Sequence, residues 1–197
     1  VASVVYDPEG IMEKVRMSKK AIVIGGGLLG LEAARALSLH GVEVTIAHIM
    51  DRLMEQYLDE TASHMLKKEL ERMGIRILLG HETSEIMGKP RVRHVRFANG
   101  DIYDADLVVI SAGIRPNIEL ARRSGIHVNQ GIEVDDHMET SVKDIYSVGE
   151  CAEHRNRTYG LVAPIMEQAK VAAGAICGNG GTSYEGSIHA CILKLLG

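Results

Sequence analysis

Ala21-Ile22-Val23-Ile24-Gly25-Gly26-Gly27-Leu28-Leu29-Gly30-Leu31-Glu32 is the stretch on which the fold turns. The apolar, β-branched run from Ala21 to Ile24 reads as a strand buried on both faces, as in a parallel sheet. It stops at Gly25-x-Gly27-x-x-Gly30, and an alanine-rich segment from Glu32 to His40 continues with helical character. Strand, glycine turn and helix in this order form the arrangement that holds a dinucleotide pyrophosphate. Gly25 permits the tight turn, Gly27 lets the backbone approach the phosphates, and Gly30 lets helix and strand pack closely. Gly26, Leu28 and Leu29 complete the candidate cofactor turn. The helix N-terminus adds unpaired N–H groups and a positive dipole end for the anion.

Working outward, the helix over 28–40 is stopped at His40-Gly41, and Val42 to Ala47 is a second parallel strand. A right-handed β-α-β unit is complete by residue 48. Leu58, Ala62, Met65, Leu66, Leu70 and Met73 recur at helical spacing and predict a helix over 58–73, with Gly74 as its stop and a third strand over 75–79. Upstream, Asp7-Pro8 opens a short helix over 7–17. From 82 to 112 the pattern becomes short strands, 83–87, 92–97 and 101–103, with a hairpin at Asn99-Gly100 that reads as a type I′ turn. An antiparallel meander thus replaces one crossover helix before Leu107 to Ala112 returns as a core strand. Beyond Pro116 the expectation is a helical turn or two over 118–124, short strands at 132–134 and 145–148, a helix over 165–177, and a loop from Gly178 to Ser183. Glu153 to Thr158 reads as a solvated loop, with His154 and Tyr159 in or beside it. Lys67-Lys68 and Arg91 to Arg96 read as solvated faces. The fold class is α/β: a Rossmann-like parallel sheet with an antiparallel meander crossover.

The bulk numbers agree with a real α/β core: 197 residues, 46% hydrophobic and 24% charged. Nine methionines beside one Phe and no Trp point to an aliphatic and Met-rich interior. A formal charge of −4 argues against a nucleic-acid partner. No apolar run reaches spanning length, so no membrane association is expected. The N-terminus lacks a basic n-region, an apolar h-region and an initiator Met, which points to a processed product or a piece of a longer polypeptide. Cys151, Cys177 and Cys191 are odd in number and contain no C-x-x-C, which argues against disulfides, zinc and a local redox dithiol. Reduced thiols in a cytoplasmic protein are the expectation.

Three further features accompany the glycine turn: Glu32 directly after Gly30-Leu31, Ser111-Ala112-Gly113-Ile114-Arg115-Pro116-Asn117 after the meander, and Thr140-x-x-x-x-Ile145-Tyr146-Ser147-Val148-Gly149-Glu150 with Ala163-Pro164 and Gln168-Ala169 beyond. Together they resemble the flavoprotein family of pyridine-nucleotide disulfide oxidoreductases. Within it, Leu53-Met54-Glu55-Gln56-x-Leu58-Asp59, Gly149-Glu150-Cys151-Ala152 and Tyr159-Gly160-Leu161-Val162-Ala163-Pro164 look most like the flavin module of NAD(P)H-dependent nitrite reductase large subunits. Rubredoxin reductases and NADH oxidases share the plan. The resemblance implies an NAD(P)H-binding domain over 1–112, the second segment of a split FAD-binding domain over 113–178, and a linker or the start of a C-terminal region over 179–197. The first FAD segment, which would carry its own glycine motif, is absent from this stretch.

The resemblance gives the remaining candidates their roles. Glu32 lies near the nicotinamide end, unless it is an ordinary first-turn glutamate favoured by the dipole. Ala112 and Gly113 close the cleft from the neighbouring strand end. His48 occupies the strand-end slot where an acidic residue normally holds the ribose diol. It can donate to a ribose hydroxyl or, protonated, to a 2′-phosphate, or be a plain surface histidine. Asp51 is near enough to take the diol and Arg52 to meet a 2′-phosphate, whereas Glu55 would repel one, so NADH is favoured. Glu150 stands where an aspartate contacts the FAD ribityl chain. Pro164 and Ile165 begin a helix whose N-terminus would face the flavin ring, with Ala163 and Pro164 as cofactor-binding candidates. The residues offer no acid–base catalytic set and no metal site, and hydride transfer needs neither.

The implied activity is hydride transfer from NADH to FAD, then electron delivery to a downstream acceptor: an iron–sulfur and siroheme region or a small redox protein. A non-catalytic NAD(H)-binding module is the competing reading, and the plan leaves room for a homo-oligomer.

Overall fold

The computed structural model describes residues 8–178, 182–188 and 193. Asp7, Cys191, residues 179–181 of the expected loop, and most of the expected C-terminal region lie outside them. The described chain divides into two compact units, one running to Gly113 and the other starting at Ile114.

The first unit opens with helix α1, Pro8–Arg16, and strand β1, Lys20–Ile24. Helix α2, Leu28–Leu39, leads to β2, Glu43–His48, and α3, Glu60–Arg72, leads to β3, Arg76–Leu79. Asp59 caps α3 by accepting the Ala62 N–H at 2.8 Å, which makes the start sharper than periodicity alone predicted. After the meander strands β4, Thr83–Met87, β5, His94–Phe97, and β6, Ile102–Asp104, the chain re-enters the main sheet as β7, Leu107–Ile110. The four-stranded sheet has order β3-β2-β1-β7 and every pairing in it is parallel. The meander forms its own antiparallel sheet, β4-β5-β6. The expected α/β sheet and meander crossover are therefore present.

The β5–β6 hairpin differs in one detail from its expectation. Gly100 has φ +92, but Asn99 is absent from the left-handed region, and Gly100 N–H bonds Phe97 O at 3.0 Å while Phe97 N–H bonds Asp101 O at 2.9 Å. One left-handed residue after a type I turn makes a bulged hairpin rather than a type I′ turn. The Asn99 side chain supports it by accepting the Asp101 N–H at 3.0 Å.

Phe97 joins the meander to the main sheet. It is 1% exposed and clusters with Ile22, Ala47, Val95 and Ala105. Its ring meets His81 at 5.3 Å and Tyr103 at 5.7 Å, both edge-on. Edge-to-face pairs add about 0.5–1.5 kcal/mol beyond burial. Phe97→Leu keeps most of the volume but loses both ring contacts, so it should cost about 1–2 kcal/mol. Urea unfolding would register this as a lower midpoint at unchanged slope.

The second unit contains α4, Glu119–Arg123, β8, Ile132–Val134, β9, Ala152–His154, β10, Arg157–Thr158, and α5, Val162–Ile176. Its sheet has order β10-β9-β8, with β8 and β9 parallel and β9 and β10 antiparallel. Residues 145–148 form no strand here. Asp144 enters at φ +64 and only Tyr146 bridges to Glu139.

Residues 153–158 are not a solvated loop. Arg155 and Asn156, at φ +49 and +62, make the two-residue turn between β9 and β10. His154 is 1% exposed and Tyr159 2%. Glu153, also buried, is satisfied by Asn129 Nδ2 at 2.9 Å and the Gly131 N–H at 2.7 Å. Asp136 accepts from His154 Nε2 at 2.8 Å and from Arg155. Arg155 first, then His154, holds the Asp136 carboxyl down to about 2. Met138, Tyr159, Val171, Ala172 and Tyr184 form this unit's core. No described helix is long and apolar enough to cross a membrane.

Candidate functional site

β1 lies between β2 and β7, and successive strands leave it in opposite directions across the sheet. Parallel sheets bind ligands at the carboxyl ends of the strands at such a switch point. The turn Gly25 to Gly30 stands there. Gly25, at φ +124, gives its N–H to Ala47 O at 2.9 Å, while the Ser111 N–H bonds Ile24 O at 2.8 Å. A Cβ on Gly25 would lie 2.1 Å from Ser111 O, and one on Gly30 would lie 2.2 Å from Gly25 O. A Cβ on Gly26 would meet the His48 ring and Leu53, each at 2.7 Å. These three contacts are internal to the fold.

Gly27 is different. It is the N-cap of α2 with φ −86 and ψ −178, and a Cβ there would meet nothing within 4 Å. No side chain caps the helix and its first turn carries no acid. The first helical bond is Leu31 N–H to Gly27 O at 3.0 Å, so the N–H groups before it point out of the helix end. Leu28 is half-buried and Leu29 is 66% exposed. A helix end with an open backbone cradle, no side-chain cap and no first-turn acid fits an anionic phosphate group.

The loop after β2 folds back over this turn. Met54, at φ +54, gives its N–H to Gly26 O at 3.0 Å, and Leu53 is fully buried. His48 is buried as well. Its Nδ1 accepts the Gly26 N–H at 3.1 Å and its Nε2 lies 3.0 Å from Glu55 Oε2. Both ring nitrogens are therefore engaged within the protein, and neither is left over for a ribose hydroxyl. Sequence reading missed this link because His48 and Glu55 are joined by an irregular loop, which periodicity does not see. Asp51 is 83% exposed and reaches Arg52 only at 3.9 Å. Glu32 is half-buried on α2, and Ala112 and Gly113, the latter at φ +88, are exposed after β7.

In the second unit, Gly149 is buried at φ +92 and gives its N–H to Gln168 Oε1 at 2.9 Å, where Gln168 is fully buried in α5. This fixes the backbone from which Glu150 projects, exposed, toward solvent. Gly160 lies close by, and a Cβ there would come to 3.6 Å from Glu150 Oε1. Leu161 precedes α5 without a side-chain cap, and that helix also lacks a first-turn acid. Ala163 is exposed and Pro164 buried. A carboxylate beside an uncapped helix end is a donor-and-acceptor set that fits the polyol and ring of a flavin.

Comparison with known proteins agrees with this geometry. The family model described as pyridine nucleotide-disulphide oxidoreductase matches residues 4–175. The chain is 50% identical over 98% of its length to the nitrite reductase [NAD(P)H] of Bacillus subtilis, covering 24% of that protein. It is 40% identical over 98% of its length to the nitrite reductase (NADH) large subunit of Escherichia coli, covering 23%. The chain thus spans about a quarter of the length of these curated relatives. A solved structure of an NAD-dependent persulfide reductase from A. fulgidus superposes with TM-score 0.89 at 31% identity, over 95% of this chain and 36% of that one. The glycine turn at the switch point, the meander crossover and these matches lead to one family assignment: the chain belongs to the pyridine nucleotide-disulphide oxidoreductases, a family of FAD- and NAD(P)H-binding enzymes.

Proposed function

We propose that the first unit binds NADH and that the second supplies part of an FAD site, in a reductase that passes electrons on toward nitrite reduction. The observation that carries this reading is the open backbone at Gly27, set at the carboxyl ends of β1 and β7. The chemistry that bound FAD would supply is hydride acceptance from NADH and electron delivery to a further redox centre.

The chain's own residues do the positioning. Gly27, Leu28 and Leu29 offer backbone N–H groups to the pyrophosphate, and the α2 dipole favours its charge. Ala112 and Gly113 border the nicotinamide side, with Glu32 on the facing helix. Glu150 would accept from the ribityl hydroxyls, and the α5 N-terminus would favour negative charge on the flavin ring. No acid–base side chain is needed for the hydride step.

The acceptor in this proposal is an iron–sulfur and siroheme region, in line with the nitrite reductase relatives. A small redox protein is the alternative offered by the rubredoxin reductase plan. Cytoplasmic residence belongs to the same reading, since NADH and free thiols such as Cys151 and Cys177 are found there together.

Titration with NADH, followed by quenching of its fluorescence, should give saturable binding below millimolar concentration. No binding of either nicotinamide dinucleotide at millimolar concentration would sink the proposal. Flavin absorbance in the purified chain marks an assembled reductase, and a colourless chain that still binds NADH marks a nucleotide-binding module.

A further inference from the structure

The end of β2 raises a question that the NADH reading leaves open. The acidic residue that normally takes the adenosine ribose diol is replaced by His48, whose ring is fully engaged. A backbone N–H can only donate, so Nδ1 of His48, which faces the Gly26 N–H at 3.1 Å, carries no proton. The ring proton therefore sits on Nε2 and is donated to Glu55 Oε2 at 3.0 Å. A continuous link runs from the phosphate turn through a buried imidazole to a carboxylate. The His48 side chain is 9% exposed and that of Glu55 24%, so the link is fixed at the histidine and opens to solvent at the glutamate.

Among the described residues, His48 holds Glu55 through Oε2, and Oε1 is the oxygen that can meet a ligand. Asp51 is the competing carboxylate. It is 83% exposed and only loosely paired, at 3.9 Å, with Arg52. Of these two carboxylates, Glu55 is the one tied through His48 to the phosphate turn.

We infer that Glu55, positioned by His48, accepts the hydrogen bonds of the adenosine ribose hydroxyls and rejects the 2′-phosphate of NADPH. The inference rests on the NADH reading given above. The carboxylate function has moved from the strand end to the returning loop, and the histidine in the old position now holds it. A 2′-phosphate would meet a carboxylate that His48 holds through Oε2 at 3.0 Å.

The test compares dissociation constants of the chain for NADH, NADPH and 2′-deoxy-NADH, read by fluorescence quenching. In the unsubstituted chain NADH should bind more tightly than NADPH. Glu55→Gln keeps the bond from His48 but loses the charge, and it should weaken NADH about tenfold, collapse the preference, and weaken 2′-deoxy-NADH less than NADH. His48→Ala should lower the same preference, and in the Glu55→Gln background it should leave the ratio where it is. An unchanged ratio in Glu55→Gln, with NADH still bound, overturns this inference alone. A ratio that moves in Asp51→Asn instead also overturns it. Failure of the unsubstituted chain to bind either dinucleotide overturns the NADH reading itself.

Discussion

Gly25→Ala should destabilise the first unit by about 4 kcal/mol, combining the strain of a forbidden backbone region with that of overpacking. The φ of +124 is one that residues with a Cβ rarely adopt. The added carbon would sit 2.1 Å from Ser111 O and 2.7 Å from Ser111 C. Those are backbone atoms, so no rotamer change relieves the clash. Moving them would pull Ser111 from Ile24, whose bond at 2.8 Å holds the end of β7 against β1. A loss of this size is a large part of the 5–15 kcal/mol that keeps a domain folded. Urea unfolding of the chain should show either a much lower midpoint for the first unit or no folded baseline, and a midpoint within error of the unsubstituted chain would refute the argument.

The features legible in the sequence were those set by local periodicity and by glycine. The run Ala21 to Ile24, the alternation of helix and strand, and the shift to short strands after residue 82 each reflect burial on a repeating face. They were enough to define the parallel sheet and the meander. The hairpin at Asn99-Gly100 was legible as a hairpin but not as a turn type, because one left-handed residue and two both favour the same dipeptide.

What escaped reading depends on contacts distant in sequence. Glu153, His154 and Tyr159 look polar in series, yet each is buried: Asn129 and Gly131 meet Glu153, Asp136 meets His154 Nε2, and Tyr159 packs with Met138, Val171, Ala172 and Tyr184. The same holds for His48. Its residue type suggested a ligand contact, while its position on a buried strand with Gly26 and Glu55 on either side makes it a connector. Polar residues in a row say little about exposure when their partners lie 18 to 24 positions away.

Gly27→Asp should separate stability from binding. With φ −86 and ψ −178 this position accepts any residue, and its Cβ direction is open. It is also the N-cap of α2, where aspartate is preferred over glycine by a few tenths of a kcal/mol through a bond to an orphan N–H. The dipole adds about 0.3–1 kcal/mol for a carboxylate at the helix start. The substituted chain should therefore be as stable as the original or slightly more so. Binding should move the other way. The new carboxylate would occupy the N–H groups that the pyrophosphate needs, and would oppose it with about 4 kcal/mol of repulsion at contact distance in a partly shielded site. NADH affinity should fall about a hundredfold or more. Gly27→Asn provides the comparison, since it caps the helix without the charge and should weaken NADH less. Thermal unfolding and fluorescence titration on the same samples would read both effects. If Gly27→Asp stabilises the helix yet leaves NADH binding intact, the phosphate does not sit on this turn.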